Sequence, residues 1–159
     1  MAQLKRKDFA HYFDTSANGE ANWELEGIGV EALSLAYNPQ IDTFKQIIDD
    51  VASSTFDSYQ IQSSVSGKRI DKDDPIWKWL NEARKKAESI ETKMLEVNMS
   101  SATGDLSTTY EALQYNVLIV INEFLGETAT ISYDVYVKGK PTIGTVAIAN
   151  QKPTFTPKG

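Results

Sequence analysis

The chain has 159 residues, 41% of them hydrophobic and 24% charged, which sets the expectation of one globular domain around a single core. A net charge of −6 and a pI near 4.8 argue against a free-standing nucleic-acid binder, which must neutralise phosphates. There is no cysteine and a single histidine, His11, which excludes disulfides, thiolate chemistry and the usual zinc and iron ligand sets.

The first residues, Met-Ala-Gln-Leu-Lys-Arg-Lys-Asp, are basic, but no apolar run of signal-peptide length follows. No window reaches the roughly 20 apolar residues of a membrane helix. The expectation is therefore a chain made in the cytoplasm, with no membrane partner. Residues 1–22 are mixed and polar and read as an N-terminal arm with little regular structure. Residues 23–37 read as a long strand, kinked at Gly27 and Gly29, and Asn38-Pro39 marks a turn. Residues 42–51 fit either a short strand or a helical turn.

Residues 55–66 alternate with period two and predict a half-buried strand. Asp57, Tyr59, Ile61 and Val65 share one face, and Ser58, Gln60, Gln62, Ser64 and Ser66 share the other. That second face holds neither Lys nor Glu, the residues that normally guard a solvated strand against pairing. It suits either a plain solvated face or a low-friction channel lining. Gly67-Lys68 closes the strand.

Asp73-Asp74-Pro75 is a helix start: an acidic cap, then proline at the first helical position. Ile76, Trp77, Leu80, Ala83 and Ala87 follow at helical spacing, which predicts one amphipathic helix over about 75–88. Trp77 lies on its apolar face; Trp79 lies off it and reads as a subunit contact. Segments 93–99, 113–124, 129–138 and 143–149 are rich in Val, Ile, Tyr and Thr and predict strands. Gly126-Glu127 and Lys138-Gly139-Lys140-Pro141 read as hairpin breaks. Residues 151–159 hold two prolines and read as an extended tail that cannot continue a central strand. The predicted fold is mainly β: an antiparallel sandwich or partly closed barrel over residues 23–150, with one flanking helix.

Motifs that could carry chemistry have simpler explanations. Gly27-Ile-Gly29-Val-Glu-Ala32 fits the dinucleotide fingerprint, but a strand-like continuation stands where a helix should begin. Asp71, Asp73 and Glu82 match three calcium-loop positions, yet Ile76 stands where the loop needs glycine. His11, near Asp8 and Asp14, has no nucleophile elbow to serve and reads as a surface residue. Trp23, Trp77 and Trp79 could stack on bases or sugars, but core packing accounts for Trp77. No catalytic residue, metal site or cofactor is expected.

The order of elements resembles one family. Ser-Leu-Ala-Tyr-Asn-Pro (34–39), Asp-Asp-Val-Ala-Ser-Ser-Thr-Phe-Asp-Ser-Tyr (49–59) and Ser-Gly-Lys-Arg (66–69) come first. Asp-Asp-Pro-Ile-Trp-Lys-Trp-Leu (73–80) and the turn Gly-Lys-Pro-Thr (139–142) complete the pattern. Together they resemble the major tail (tail tube) proteins of long-tailed phages, especially those of Gram-positive hosts. The resemblance runs from about residue 20 onward and leaves the first twenty residues unmatched. It implies a non-enzymatic structural subunit, six copies to a ring, with rings stacked into a hollow tube through which DNA passes during ejection. The implied partners are other copies of the chain, tail-tip and tail-terminator proteins and the tape measure protein. The implied location is the virion, after assembly in the host cytoplasm. Under this reading Ser58, Gln60, Gln62, Ser64, Ser66, Thr130, Ser132 and Asp134 line the lumen. Residues 1–22, 38–54 and 151–159 make ring-to-ring contacts. An inner tube subunit of a contractile tail or tailocin fits the same residues, and a small ligand-binding β-barrel is a third reading.

Overall fold

The computed structural model describes residues 9–16, 20–27, 29–30, 33–48, 50–101 and 109–158. The strands are β1 (Phe9–Asp14), β2 (Trp23–Leu25), β3 (Pro39–Phe44), β4 (Ser53–Tyr59) and β5 (Gln62–Arg69), followed by helix α1 (Pro75–Lys86). Then come β6 (Ile90–Asn98), β7 (Thr109–Leu125), β8 (Thr130–Ala149) and β9 (Lys152–Pro157). Seven of these strands form one antiparallel sheet in the order β2-β1-β6-β7-β8-β5, with β9 also beside β8. β5 pairs with the first part of β8 and β9 with its last part. The hairpin β3–β4 forms a separate two-stranded sheet.

The large sheet curls until its ends approach. The Arg69 N–H donates to the Gly29 carbonyl at 3.0 Å, and Lys152 Nζ donates to the Trp23 carbonyl at 3.1 Å. The result is the expected mainly β fold, a nearly closed antiparallel barrel with one helix.

Two apolar clusters lie on opposite faces of this sheet. Adjacent residues prove the point, because successive strand residues face opposite ways. Phe13 and Met94 join a cluster with Tyr115, Ile119, Tyr133 and Val135, against which α1 packs Ile76 and Leu80. Their neighbours Tyr12 and Leu95 join the other, with Trp23, Val97 and Val146. β1 is thus buried on both sides, which corrects the expectation of an irregular arm for its residues.

The helix follows its sequence signals. Asp74 is the N-cap, its Oδ1 accepting from the Ile76 N–H at 3.0 Å. Asp73 does not cap; its own N–H donates to Asp71 Oδ1. Ala87, left-handed at φ 55°, ends the helix just after Arg84, Lys85 and Lys86, whose charge suits the negative end of the helix dipole. Trp77 stacks on Phe124 with ring centres 6.1 Å apart, and Trp79 packs 5.9 Å from Phe13. Trp79 therefore packs within this chain while staying half-buried.

Three strand expectations need correction. Among the described residues of 23–37 the one strand is the short β2; the chain leaves the sheet at Glu26 and returns as an isolated bridge between Ala36 and Gln62. Residues 55–66 are split between β4 and β5, because the Gln60 N–H turns to the Tyr37 carbonyl at 3.0 Å and breaks the run. Segments 129–138 and 143–149 are one strand of 20 residues, β8. Its ladder slips between Lys138 and Thr142, opposite Gln114 to Asn116. Pro141 is tolerated there because a bulge needs no ladder N–H from it. The same irregularity lies between the stretches of β8 that pair with β5 and with β9. The tail is extended as expected, and it adds to the sheet as an edge strand, where proline is permitted.

Gly29 sits at φ +74° with the Arg69 backbone against it: a Cβ there would stand 2.3 Å from the Arg69 carbonyl oxygen. Its glycine requirement is thus a close backbone approach at the barrel seam rather than a pyrophosphate cradle. Gly29→Ala is expected to cost about 1–3 kcal/mol, read as a lowered midpoint of urea unfolding; an unchanged midpoint would mean that the seam is not closed as described. Gly144 faces the Thr156 carbonyl oxygen equally closely, with the Phe155 ring beside it. Gly144→Ala is expected to loosen β9, raising amide exchange over 152–157 while α1 stays protected.

Candidate assembly surfaces

The hairpin β3–β4 is the least buried part of the described chain. Every residue of β4 is exposed, and so are all of β3 except Gln40. Its two strands carry Ile41, Phe44 and Phe56 outward. The connecting loop exposes Ile47, Ile48 and Val51, at 103%, 83% and 80%. An isolated two-stranded hairpin is marginal in water, and apolar tips of this size are uncommon on monomer surfaces. At its root the Tyr37 and Tyr59 rings meet edge to face with centres 5.5 Å apart, and Phe56 lies tilted against Tyr59 at 4.7 Å. This group borders an open groove of about 750 Å³, whose far wall is Ile61, Val137, Pro141 and Ile143. Asp42, Asp50 and Asp57 give the hairpin an acidic character, and Lys140 stands on the groove's rim.

The polar residues singled out from the sequence separate into two groups. Gln62, Ser64 and Ser66 project from β5 on the side away from its buried residues Ser63, Val65 and Lys68. Ser64 lies directly opposite Asp134, and Thr130, Ser132 and Asp134 alternate with the buried Ile131, Tyr133 and Val135. These six therefore share one face of the sheet, opposite the face that α1 covers. The Gly67 N–H donates to Ser132 Oγ at 2.9 Å across a bulge in β5. Hydrogen bonds from Asn122 and Ser64, with a smaller one from Tyr136, hold the Asp134 carboxyl below its ordinary pKa, so it stays ionised. Ser58 is not on this face: it belongs to the hairpin and donates to Asp57. Gln60 is exposed in the link between β4 and β5.

Of the three segments expected to make ring-to-ring contacts, residues 9–14 and 152–157 are strands of the barrel. Of the three, 38–54 alone has no described residue in the large sheet. His11 is not a surface residue: it is 4% exposed, opposite Glu96 in the β1–β6 ladder, with its Nε2 3.2 Å from Glu96 Oε2. Among the described residues no group of three potential metal ligands exists, and Glu82 of the calcium-like pattern pairs with Lys85 instead.

One constellation gave no sequence signal. Lys68, fully buried, places Nζ 2.6 Å from Glu26 Oε1 and 2.8 Å from Asp74 Oδ2. Glu26 lies one residue beyond β2, Lys68 near the end of β5, and Asp74 at the helix cap, so the group ties the seam of the barrel to α1. Tyr133 completes it by donating to Glu26 Oε2. Burial pushes the Glu26 carboxyl above its ordinary value despite Lys68, and burial also raises the Tyr133 phenol.

Among the described residues no helix is long and apolar enough to cross a membrane. Neither the family models nor the curated proteins include a match to the chain.

Proposed function

We propose that this chain is a non-enzymatic structural subunit that assembles with copies of itself into rings, six to a ring, stacked as a hollow tube like the tail tube of a long-tailed phage. The exposed hairpin carries this reading. Its apolar loop contributes little to the fold of one copy, and burial against another copy would remove Ile47, Ile48 and Val51 from water. An apolar protrusion and an apolar groove on the same chain make a heterologous contact, the kind that closes rings or extends filaments. The barrel interior is filled by Tyr115, Tyr133, Met94 and Ile119, all fully buried, which disfavours the ligand-binding barrel.

In such a tube the face bearing Gln62, Ser64, Ser66, Thr130, Ser132 and Asp134 lines the lumen. Short polar side chains and the ionised Asp134 would give passing DNA weak contacts and no anchoring cation there. The tail-tip, terminator and tape measure proteins are its proposed partners and the virion its location. Negative-stain microscopy of the concentrated protein tests the assembly: tubes or stacked rings are expected. Monomers that persist even with tail-tip components present would overturn the reading.

A further inference from the structure

The seam cluster is more than an ion pair. We propose that Lys68 and Asp74 join through a self-formed isopeptide bond, with Glu26 as the catalytic proton carrier. This inference is independent of tube assembly, since every reacting group lies inside one chain.

The geometry supplies each requirement of an amide condensation. The nucleophile, Lys68 Nζ, stands 2.8 Å from Asp74 Oδ2, next to the carbon it must attack. Lys68 and Glu26 side chains are 0% exposed and Asp74 1%, so the site is dry. A dry site disfavours the return of water. Asp74 Oδ1 accepts from the Ile76 N–H at 3.0 Å, at the N-terminus of a helix of 12 residues. That donor and the helix dipole polarise the carboxyl and stabilise an oxyanion on Oδ1. Oδ1 keeps its hydrogen bond as the amide oxygen, while Oδ2 is the atom that leaves. Glu26 Oε1, 2.6 Å from Nζ, is placed to handle protons at the nitrogen.

The step balances without any other reactant. The Lys68 ammonium gives one proton to Asp74 Oδ2, leaving amine and carboxylic acid. The Nζ lone pair attacks Cγ, forming the N–C bond and a tetrahedral centre. Glu26 takes a proton from the now cationic nitrogen and returns it to the Oδ2 hydroxyl. The C–O bond breaks and water departs. Ammonium plus carboxylate becomes amide plus water, with no change of oxidation state. The upward shift of Glu26 suits a carboxyl that must first accept and then return a proton.

Intact-mass spectrometry of the purified full chain is the test. The expected mass is lower than the sequence mass by one water. A tryptic digest should show no cleavage after Lys68 and a branched peptide joining Lys68 to Asp74. A chain at its full sequence mass, or a water loss that maps to any other residues, overturns the proposal. Glu26→Gln, with its fold checked by circular dichroism, is expected at full mass; bond formation at the wild-type extent in this variant would overturn the part given to Glu26. The wild-type mass decides the bond itself even if the variant does not fold.

Discussion

A chain carrying Ile47→Asp and Ile48→Asp is expected to fold as well as the wild type and to fail at assembly. The two side chains are 103% and 83% exposed, so they contribute almost nothing to the stability of one copy. Surface changes of this kind shift unfolding by less than about 0.5 kcal/mol. In an assembled tube the same residues would be buried against a neighbour. Losing two buried isoleucines costs about 3–6 kcal/mol per contact, which lowers the association constant by roughly 10²–10⁴. Burying two new carboxylates beside Asp50 adds to the loss. Sedimentation velocity and microscopy at a concentration where the wild type forms tubes would read the effect. Tubes of normal length from the double variant would remove the hairpin loop from the contact, whatever the fate of the wider proposal. A control at Lys45, exposed on the same hairpin, distinguishes apolar burial from a general sensitivity of the loop; Lys45→Ala is expected to leave assembly within a few-fold of normal.

The parts of this fold that were legible in the sequence are those where one face is buried and the other wet. The helix is the clearest case: Asp74-Pro75 starts it, Ile76 and Leu80 bury it, and three basic residues end it. Gln62 to Ser66 and Thr130 to Asp134 were legible as a polar face for the same reason, since each alternates against buried neighbours. β1 was missed because His11, Tyr12 and Phe13 are all buried, on both faces, between the two clusters. Period two disappears when both sides of a strand are covered. The break at Gln60 was missed because it depends on a distant partner, the Tyr37 carbonyl. Gly139-Lys140-Pro141 has the composition of a turn, yet the ladder absorbs it as a bulge within β8. The seam cluster was invisible for a stronger reason. Ser-Gly-Lys-Arg reads as a wet basic turn, and nothing local to Lys68 reveals that Glu26, 42 residues earlier, meets it in the interior.

That cluster gives the largest expected loss of stability. Lys68→Met leaves Glu26 and Asp74 buried without their cation, and removing one partner of a buried pair costs about 3–5 kcal/mol. For a chain of this size the melting temperature should fall by roughly 10 °C. The loss should be concentrated at neutral pH. Burial already raises the Glu26 carboxyl, and Lys68 is the main influence opposing that shift. Without Lys68 the folded-state value rises further above the unfolded one. A carboxyl raised in this way favours folding at low pH, and that contribution disappears as pH climbs through the folded value. The variant should therefore recover part of its lost stability as pH falls toward the ordinary glutamate value of 4.5, measured by denaturant melts across that range. Adding Glu26→Gln to Lys68→Met removes the stranded charge yet keeps an acceptor for the Tyr133 hydroxyl, and should restore about half of the loss or more. The pH dependence is that of an ammonium at Lys68, whose charge opposes the rise of Glu26; in a chain already joined at Lys68 the substitution instead removes the cross-link and the amide N–H facing Glu26 Oε1, a loss without that pH dependence. A single Lys68→Met variant as stable as the wild type at neutral pH would show that the seam is not closed by this group.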